Sequence, residues 1–458
     1  MDYRNWKPGF SSKHSSKLIG TSVAAAIAML FGSGAALALN TGTDMNLAYK
    51  PASGGMGGAG YARPQDVSSA IFGNPATLTQ MKGFNGSLAA SLMSPDTNVT
   101  HTNGAFSNKS SSTADNYVIP DFALGQEIMP GTVMGFGVEV DAGLGGDYRT
   151  NPVTAGPGGA IKLPLVVELL SFNANLALAK EITPQLSVGG AVTIGFGLAQ
   201  LGTTGPTSGI TAVGGLLGLP ITDFGGTSSS VHNISYGGSV GLTYKATPAL
   251  TLSGAVKSPV KYKFHNIVFA DLSALGGPKG YQNLTIEQPL ELVAGAAFDV
   301  NPNWLVEADV VWKNWSNATT YQDVYKDQFL LLLGTQYKTG PWSLRAGYSH
   351  AQKLQRDQPN GTLGGLAGLG TLPLNTAVPG VLNQNDIVRL VQMTLTPVIW
   401  QNTITGGVGY DITPHVRVDG YGGYAFKEEA NRATLLLGNY KFSATSQWSV
   451  GAGINFRF

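Results

Sequence analysis

Outside the N-terminal lead the chain has five histidines, His101, His232, His265, His350 and His415, and none stands where acid–base chemistry would use it. Nucleophilic catalysis needs a nucleophile, a base and an orienting group within reach of one another. Here the histidines are scattered singly, without a nucleophile elbow and without metal-ligand spacing. Each is read as a loop or rim residue. There is no Cys, which removes thiolate chemistry, thiolate metal sites and disulfides together. Catalytic residues, metal and cofactor are therefore not expected. A formal net charge of +1 lacks the electrostatic footprint of a nucleic-acid partner. The residues left to act on a ligand are apolar. Val213 to Ile221 reads V-G-G-L-L-G-L-P-I, around Leu216 and Leu217, and Leu363 to Leu374 reads L-G-G-L-A-G-L-G-T-L-P-L. Such segments between strands mark either a surface that binds hydrophobic molecules or loops that pack on one another, and both readings stand.

The elements that must position these segments are legible first at the C-terminus. The run Ser449 to Phe458, S-V-G-A-G-I-N-F-R-F, places Val450, Ala452, Ile454, Phe456 and Phe458 on one strand face and Ser449, Asn455 and Arg457 on the other. Ten residues is about what a tilted strand needs to cross a bilayer. A terminal aromatic is similar to the signal read by the barrel-assembly machinery of bacterial outer membranes, which singles out Phe456 and Phe458.

The chain has 458 residues, of which 62 are Gly, 17 are Tyr and 12% are charged, as expected of a barrel wall whose lipid-facing and lumen-facing residues alternate. At the N-terminus Arg4, Lys7, Lys13 and Lys17 precede an uncharged stretch from Leu18 to Leu39 that ends in Ala36-Leu37-Ala38. This predicts a secretory signal peptide, residues 1–38, cleaved after Ala38. The alternative is a single membrane anchor, since the apolar length suffices.

Six alternating hairpins follow, each around a tight turn: Met129-Pro130-Gly131, Thr183-Pro184, Thr247-Pro248, Asn301-Pro302, Gly340-Pro341 and Thr413-Pro414. Proline cannot donate to a sheet ladder and belongs in turns. With Phe84 to Met93 before the first hairpin and the terminal run after the last, the expected total is about fourteen strands, an even number. The fold expected is an all-β, antiparallel transmembrane barrel over residues 84–458 with long outer loops. Residues 39–83 carry no strand pattern. They are rich in glycine from Gly54 to Gly60 and continue through Asp66 to Ala76. A segment this long is expected to fill the barrel as a hatch.

At this point the chain resembles the FadL/TodX family of outer-membrane transporters for long-chain fatty acids and other hydrophobic compounds. The residues that carry the resemblance are Gly58-Ala59-Gly60-Tyr61-Ala62, Ser69-Ala70, Asn74-Pro75-Ala76, the run Ser258 to Phe264 and Trp315-Ser316. It spans essentially the whole mature chain. It implies a hatch held by Asn74, Pro75 and Ala76, capture of ligand among outer loops, and sideways exit where the third strand, Thr132 to Val140, is kinked inward. Gly135, Phe136 and Gly137 align with that kink. The resemblance also places a ligand site along Ile194, Phe196 and Leu198, joined by Leu216 and Leu217. Family members that bind fatty acids use basic residues where this chain has Leu198 and Gln322. That departure points to neutral ligands, although Arg389, Lys326 or Lys263 could supply a cation from another direction. The partners implied are a hydrophobic small molecule or fatty acid, outer-membrane lipid and the assembly machinery, with the barrel a monomer. A barrel enzyme of lipase type and a general diffusion porin are the competing readings, and steady ion conductance would mark the porin.

Overall fold

The computed structural model describes residues 47–203, 224–227, 230–271, 279–359, 384–394, 400–434 and 437–458. Leu216, Leu217 and the expected signal peptide lie outside them, as does the apolar run from Leu363. Fourteen antiparallel strands close on themselves. In chain order they are β1 (Phe84–Asn103), β2 (Tyr117–Met129), β3 (Thr132–Asp147), β4 (Leu165–Glu181), β5 (Leu186–Thr203), β6 (Val231–Lys245) and β7 (Leu250–Lys257). The second half comprises β8 (Glu291–Asn301), β9 (Trp304–Lys313), β10 (Gln328–Thr339), β11 (Trp342–Ala351), β12 (Asn402–Thr413), β13 (Val416–Ala425) and β14 (Asn439–Arg457). All six proline turns fall between the strands the sequence assigned to them.

Closure is made at the chain's own end. β14 pairs with β1 from Arg457↔Asn85 to Asn439↔Thr102, and Phe84 and Phe458 exchange backbone hydrogen bonds of 2.8 Å each. Phe458 also stacks on His415, with ring centroids 5.3 Å apart. Alternation then decides which side meets lipid. On β6, Ile234, Tyr236, Val240 and Leu242 point outward and exposed, while Ser235 and Thr243 are buried toward the lumen.

The lumen is filled by the N-terminal segment. It runs through a 3-10 turn (Leu47–Tyr49), helix α1 (Pro51–Gly54), helix α2 (Val67–Gly73) and a second 3-10 turn (Pro75–Gln80). Asp66 caps α2, its carboxylate accepting the Ser69 N–H at 2.6 Å. The wall supplies the remaining partners that buried amides require. On β9, Asp309 accepts from Gly60 N–H at 3.0 Å, and Glu307 accepts from Ala62 at 2.7 Å and Arg63 at 3.0 Å. Glycine permits this closeness: a methyl on Gly347 of β11 would fall 2.0 Å from the Gly57 nitrogen.

Candidate transport path

Three features of the described residues bear on passage of a ligand: an apolar region at the loop end, the hatch, and a break in the wall. The first is built by an inserted hairpin, Val260–Asp271 with Lys279–Gln288. It leaves the wall, where β7 pairs directly with β8, and turns inward. Tyr262 and Phe264 of this hairpin, both fully buried, pack beside Gly195 and Gly197 of β5; a methyl on Gly197 would meet the Tyr262 ring at 2.7 Å. Around them Trp315, Tyr321 and Tyr325 form an aromatic group, with Trp315 5.0 Å from Tyr321 and Tyr321 stacked on Tyr325 at 5.2 Å.

Helix α3 (Gln384–Thr394) wedges between two apolar clusters. Val388 and Val391 meet the aromatic group, and Leu390 and Met393 meet a second cluster with Trp400, Tyr440 and Phe442. Gln392 locks the helix in place. Its amide donates to the carbonyls of Val324 at 2.8 Å and Arg356 at 2.9 Å, and its oxygen accepts from Arg432 Nε at 2.6 Å. Gln392→Leu would strand those groups and should destabilise the loop end by about 3 kcal/mol. Limited proteolysis should then nick residues 352–359 far faster than in wild type, and an unchanged rate would mean that α3 is held by apolar packing alone.

Between this region and the hatch lies a cavity of about 90 Å³, bounded by Tyr49, Gly57, Leu330, Leu332, Ala351 and Trp400. The opposite end differs in character. Below the hatch a cavity of about 680 Å³ opens among Arg63, Lys82, Glu181, Lys338, Arg417 and Arg457. An apolar molecule therefore meets oil-like surface at the loop end and charge at the turn end.

The structure corrects the expected ligand line on β5. Ile194, Phe196 and Leu198 share the outward face with Val188 and Val192, and Ile194 is 50% exposed. The lumen face of the same stretch is Thr193, Gly195, Gly197 and Ala199, small residues that make room for Tyr262 and Phe264. Of the expected substitutes for a basic residue, Arg389 is engaged with the Ala433 carbonyl at 3.0 Å and Gln358 at 3.2 Å. The Gln322 carbonyl accepts from Arg356 Nε at 2.9 Å.

Asn74 sits at the junction of α2 and the following turn. Its oxygen accepts the Ala76 N–H at 3.1 Å, while its amide donates to the carbonyls of Leu242 on β6 at 3.1 Å and Tyr61 at 3.3 Å. Pro75 and Ala76 press so closely on β5 that a methyl on Gly189 would lie 2.5 Å from the Ala76 nitrogen.

The wall itself is interrupted between β2 and β3, although not at Gly135 and Gly137. Those two glycines lie in unbroken ladder on both sides, Gly135 opposite Gly125 and Ala177, Gly137 opposite Ala123 and Asn175. Phe136 between them faces outward, 36% exposed. What the glycines admit is the hatch: a methyl on Gly135 would lie 2.9 Å from Ile71, and one on Gly137 2.7 Å from Phe72. The β2–β3 ladder ends instead at Asp121↔Glu139. Beyond it, β2 pairs only with β1 and β3 only with β4. Contact resumes at the Thr113 N–H, which donates to the Asp147 carbonyl at 2.9 Å. Pro120, the next residue of β2, has no N–H to offer. On β3, Asp141 bulges out of register between Val140 and Ala142, and such an extra residue bends a strand away from its partner. The sequence carried both signals, a proline inside an alternating run and an acidic residue two positions past Glu139.

The hatch is tied to the rim of this break. Lys50 forms ion pairs with Asp121 and, at 2.7 Å, with Glu139, the two members of the last pair. It also donates to Ser68 Oγ at 2.8 Å and lies 4.5 Å above the Phe72 ring. Burial opposes the charge on Lys50, but the two carboxylates outweigh it and hold the ammonium above the ordinary lysine range. Lys50→Met would leave both carboxylates buried without their cation and should loosen the hatch by about 3–5 kcal/mol. Hydrogen exchange of the α2 amides should rise accordingly, and unaltered protection would show that the pair does not hold the hatch.

The profile of a family described as outer membrane protein transport protein (OMPP1/FadL/TodX) matches residues 34–360. Among solved structures, the toluene transporter TodX of Pseudomonas putida shares this fold with a TM-score of 0.60 at 21% identity, covering 90% of this chain and 98% of its own. The toluene transporter TbuX of Ralstonia pickettii gives 0.58 at 20% identity, with 92% and 99% covered. A FadL homologue of Pseudomonas aeruginosa gives 0.64 at 15% identity, with 93% and 100% covered. No curated protein sequence matches the chain.

Proposed function

Because the chain belongs to the OMPP1/FadL/TodX family of outer-membrane transport proteins, we propose that it captures hydrophobic compounds at its outer apolar region and releases them sideways between β2 and β3. The observation that carries this reading is the break in the β2–β3 ladder beside a lumen filled by the hatch. A ligand stopped by the hatch has a route into the membrane that avoids the charged mouth below. Two of its structural neighbours are named as toluene transporters, which agrees with a hydrophobic cargo. Moving such a molecule through water is costly, since each methylene exposed costs about 0.8 kcal/mol.

The chain acts as a transporter, not as an enzyme or a diffusion porin. Asn74, Pro75 and Ala76 are the turn that seats the hatch. Outward-facing Phe456 and Phe458 meet outer-membrane lipid and form the signal for the barrel-assembly machinery, and the barrel works as a monomer. Expression in a host lacking its own hydrophobe transporter should give saturable uptake of alkanes or monoaromatics with little ion conductance. Steady conductance without hydrophobe uptake would return the porin reading.

A further inference from the structure

Behind the wall interruption the lumen holds a polar chamber of about 40 Å³, with Phe72 of the hatch forming part of its lining. Three carboxylates and one lysine line it: Glu139, Asp141 and Glu291, with Lys257. Glu139 is paired with Lys50 at 2.7 Å, and Glu291 with Lys313 at 3.3 Å and Lys257 at 3.4 Å. Asp141, the bulged residue, has no ion pair among the described residues, and its near partner is the Ser171 hydroxyl at 3.4 Å. Three carboxylates thus share one lining cation at the point where β3 leaves β2. A second, independent observation concerns neutral groups. Asn173, Asn175 and Gln288 line the same chamber and are more than nine-tenths buried, and the side-chain oxygens of the two asparagines and both polar atoms of the Gln288 amide have no hydrogen-bond partner among the described residues. Buried polar groups are satisfied as a rule, so this set is suited to a ligand group that both donates and accepts.

We propose that the chamber reads the polar end of the transported molecule, taking a neutral hydroxyl, as in an aliphatic alcohol or a phenol, and turning away a carboxylate. The proposal rests on lateral release between β2 and β3. A hydroxyl donates to the asparagine oxygens and accepts from the Gln288 amide. A carboxylate only accepts, so it leaves the two asparagine oxygens unsatisfied and meets a lining of three carboxylates against one lysine. Asp141 is the residue that sets this specificity, and Asn175 supplies the acceptor that favours a hydroxyl over a bare hydrocarbon.

The test compares uptake of an alkane, a fatty alcohol and a fatty acid of equal chain length at neutral pH, by the full-length protein in a transporter-deficient host. The wild type should take up the alcohol over the acid by about tenfold or more. Asp141→Asn, the same shape without the charge, should raise the acid-to-alcohol ratio several-fold, and Asn175→Leu should lower alcohol relative to alkane. An unchanged acid-to-alcohol ratio in an Asp141→Asn protein that still migrates as a heat-resistant barrel overturns the assignment. Failure of the wild type to take up any of the three compounds would instead overturn the transport reading beneath it.

Discussion

Deleting residues 47–80 while retaining the barrel should raise single-channel conductance on the order of tenfold or more, because a fourteen-strand wall encloses a lumen that water fills once nothing else does. The hatch is buried nearly throughout, with Ala52, Met56, Ala59, Tyr61, Ala70 and Leu78 at about 0% exposure. Its removal would uncover the inward carboxylates Asp121, Glu139, Glu307 and Asp309, now engaged with Lys50 or with hatch amides. The resulting pore should favour cations. Selective, saturable uptake of hydrophobes should vanish with the hatch, since the cavity between it and Trp400 would no longer exist. Planar-bilayer recording of the purified variant measures the first effect and uptake by cells the second. Unchanged conductance would mean that the outer clusters around α3, not the hatch, seal the barrel.

Closing the break between β2 and β3 should abolish uptake while leaving the barrel assembled. Pro120→Val restores the missing N–H with a good strand former, and deleting Asp141 removes the bulge that bends β3 away. The ladder could then continue beyond Asp121↔Glu139. A ligand with sixteen methylenes would have to leave through water at a cost of about 13 kcal/mol, so uptake should fall to background. Binding at the outer apolar region should persist, which equilibrium measurement with the purified protein would show. Persistent uptake in a correctly folded variant would exclude release at this place. Gly135→Val with Gly137→Val is the informative comparison. Those substitutions meet Ile71 and Phe72, so their expected signature is a displaced hatch and raised conductance.

Much of this architecture was legible because the signals are local. Alternation along a strand and proline in a turn act over a few residues, so the six hairpins and the terminal strand follow from short windows of sequence. The hatch was legible by exclusion, as a long glycine-rich segment without period. Asn74 was legible as a turn former, though its bond to the Leu242 carbonyl joins residues 168 apart and needed the closed barrel. Facing was half legible. Period two separates Ile194, Phe196 and Leu198 from Thr193, Gly195, Gly197 and Ala199, but a resemblance drawn by position put the wrong set inward. Size was the better guide, since the lumen face must make room for Tyr262 and Phe264 whereas the lipid face need only be apolar.

By itself the sequence determined a membrane barrel, its strand number and its plug, because each depends on neighbours in the chain and on the solvent each face meets. Only the tertiary structure decided where the wall opens. That depends on a proline in β2 and a bulge in β3 coming level once both strands are bent into the barrel, and on Lys50, some seventy residues before one partner and ninety before the other, reaching the rim between them. No local pattern encodes such a meeting. It is produced by closure, which brings residues distant in sequence into one lumen of low dielectric, as it does Lys50 and the Asp121↔Glu139 pair.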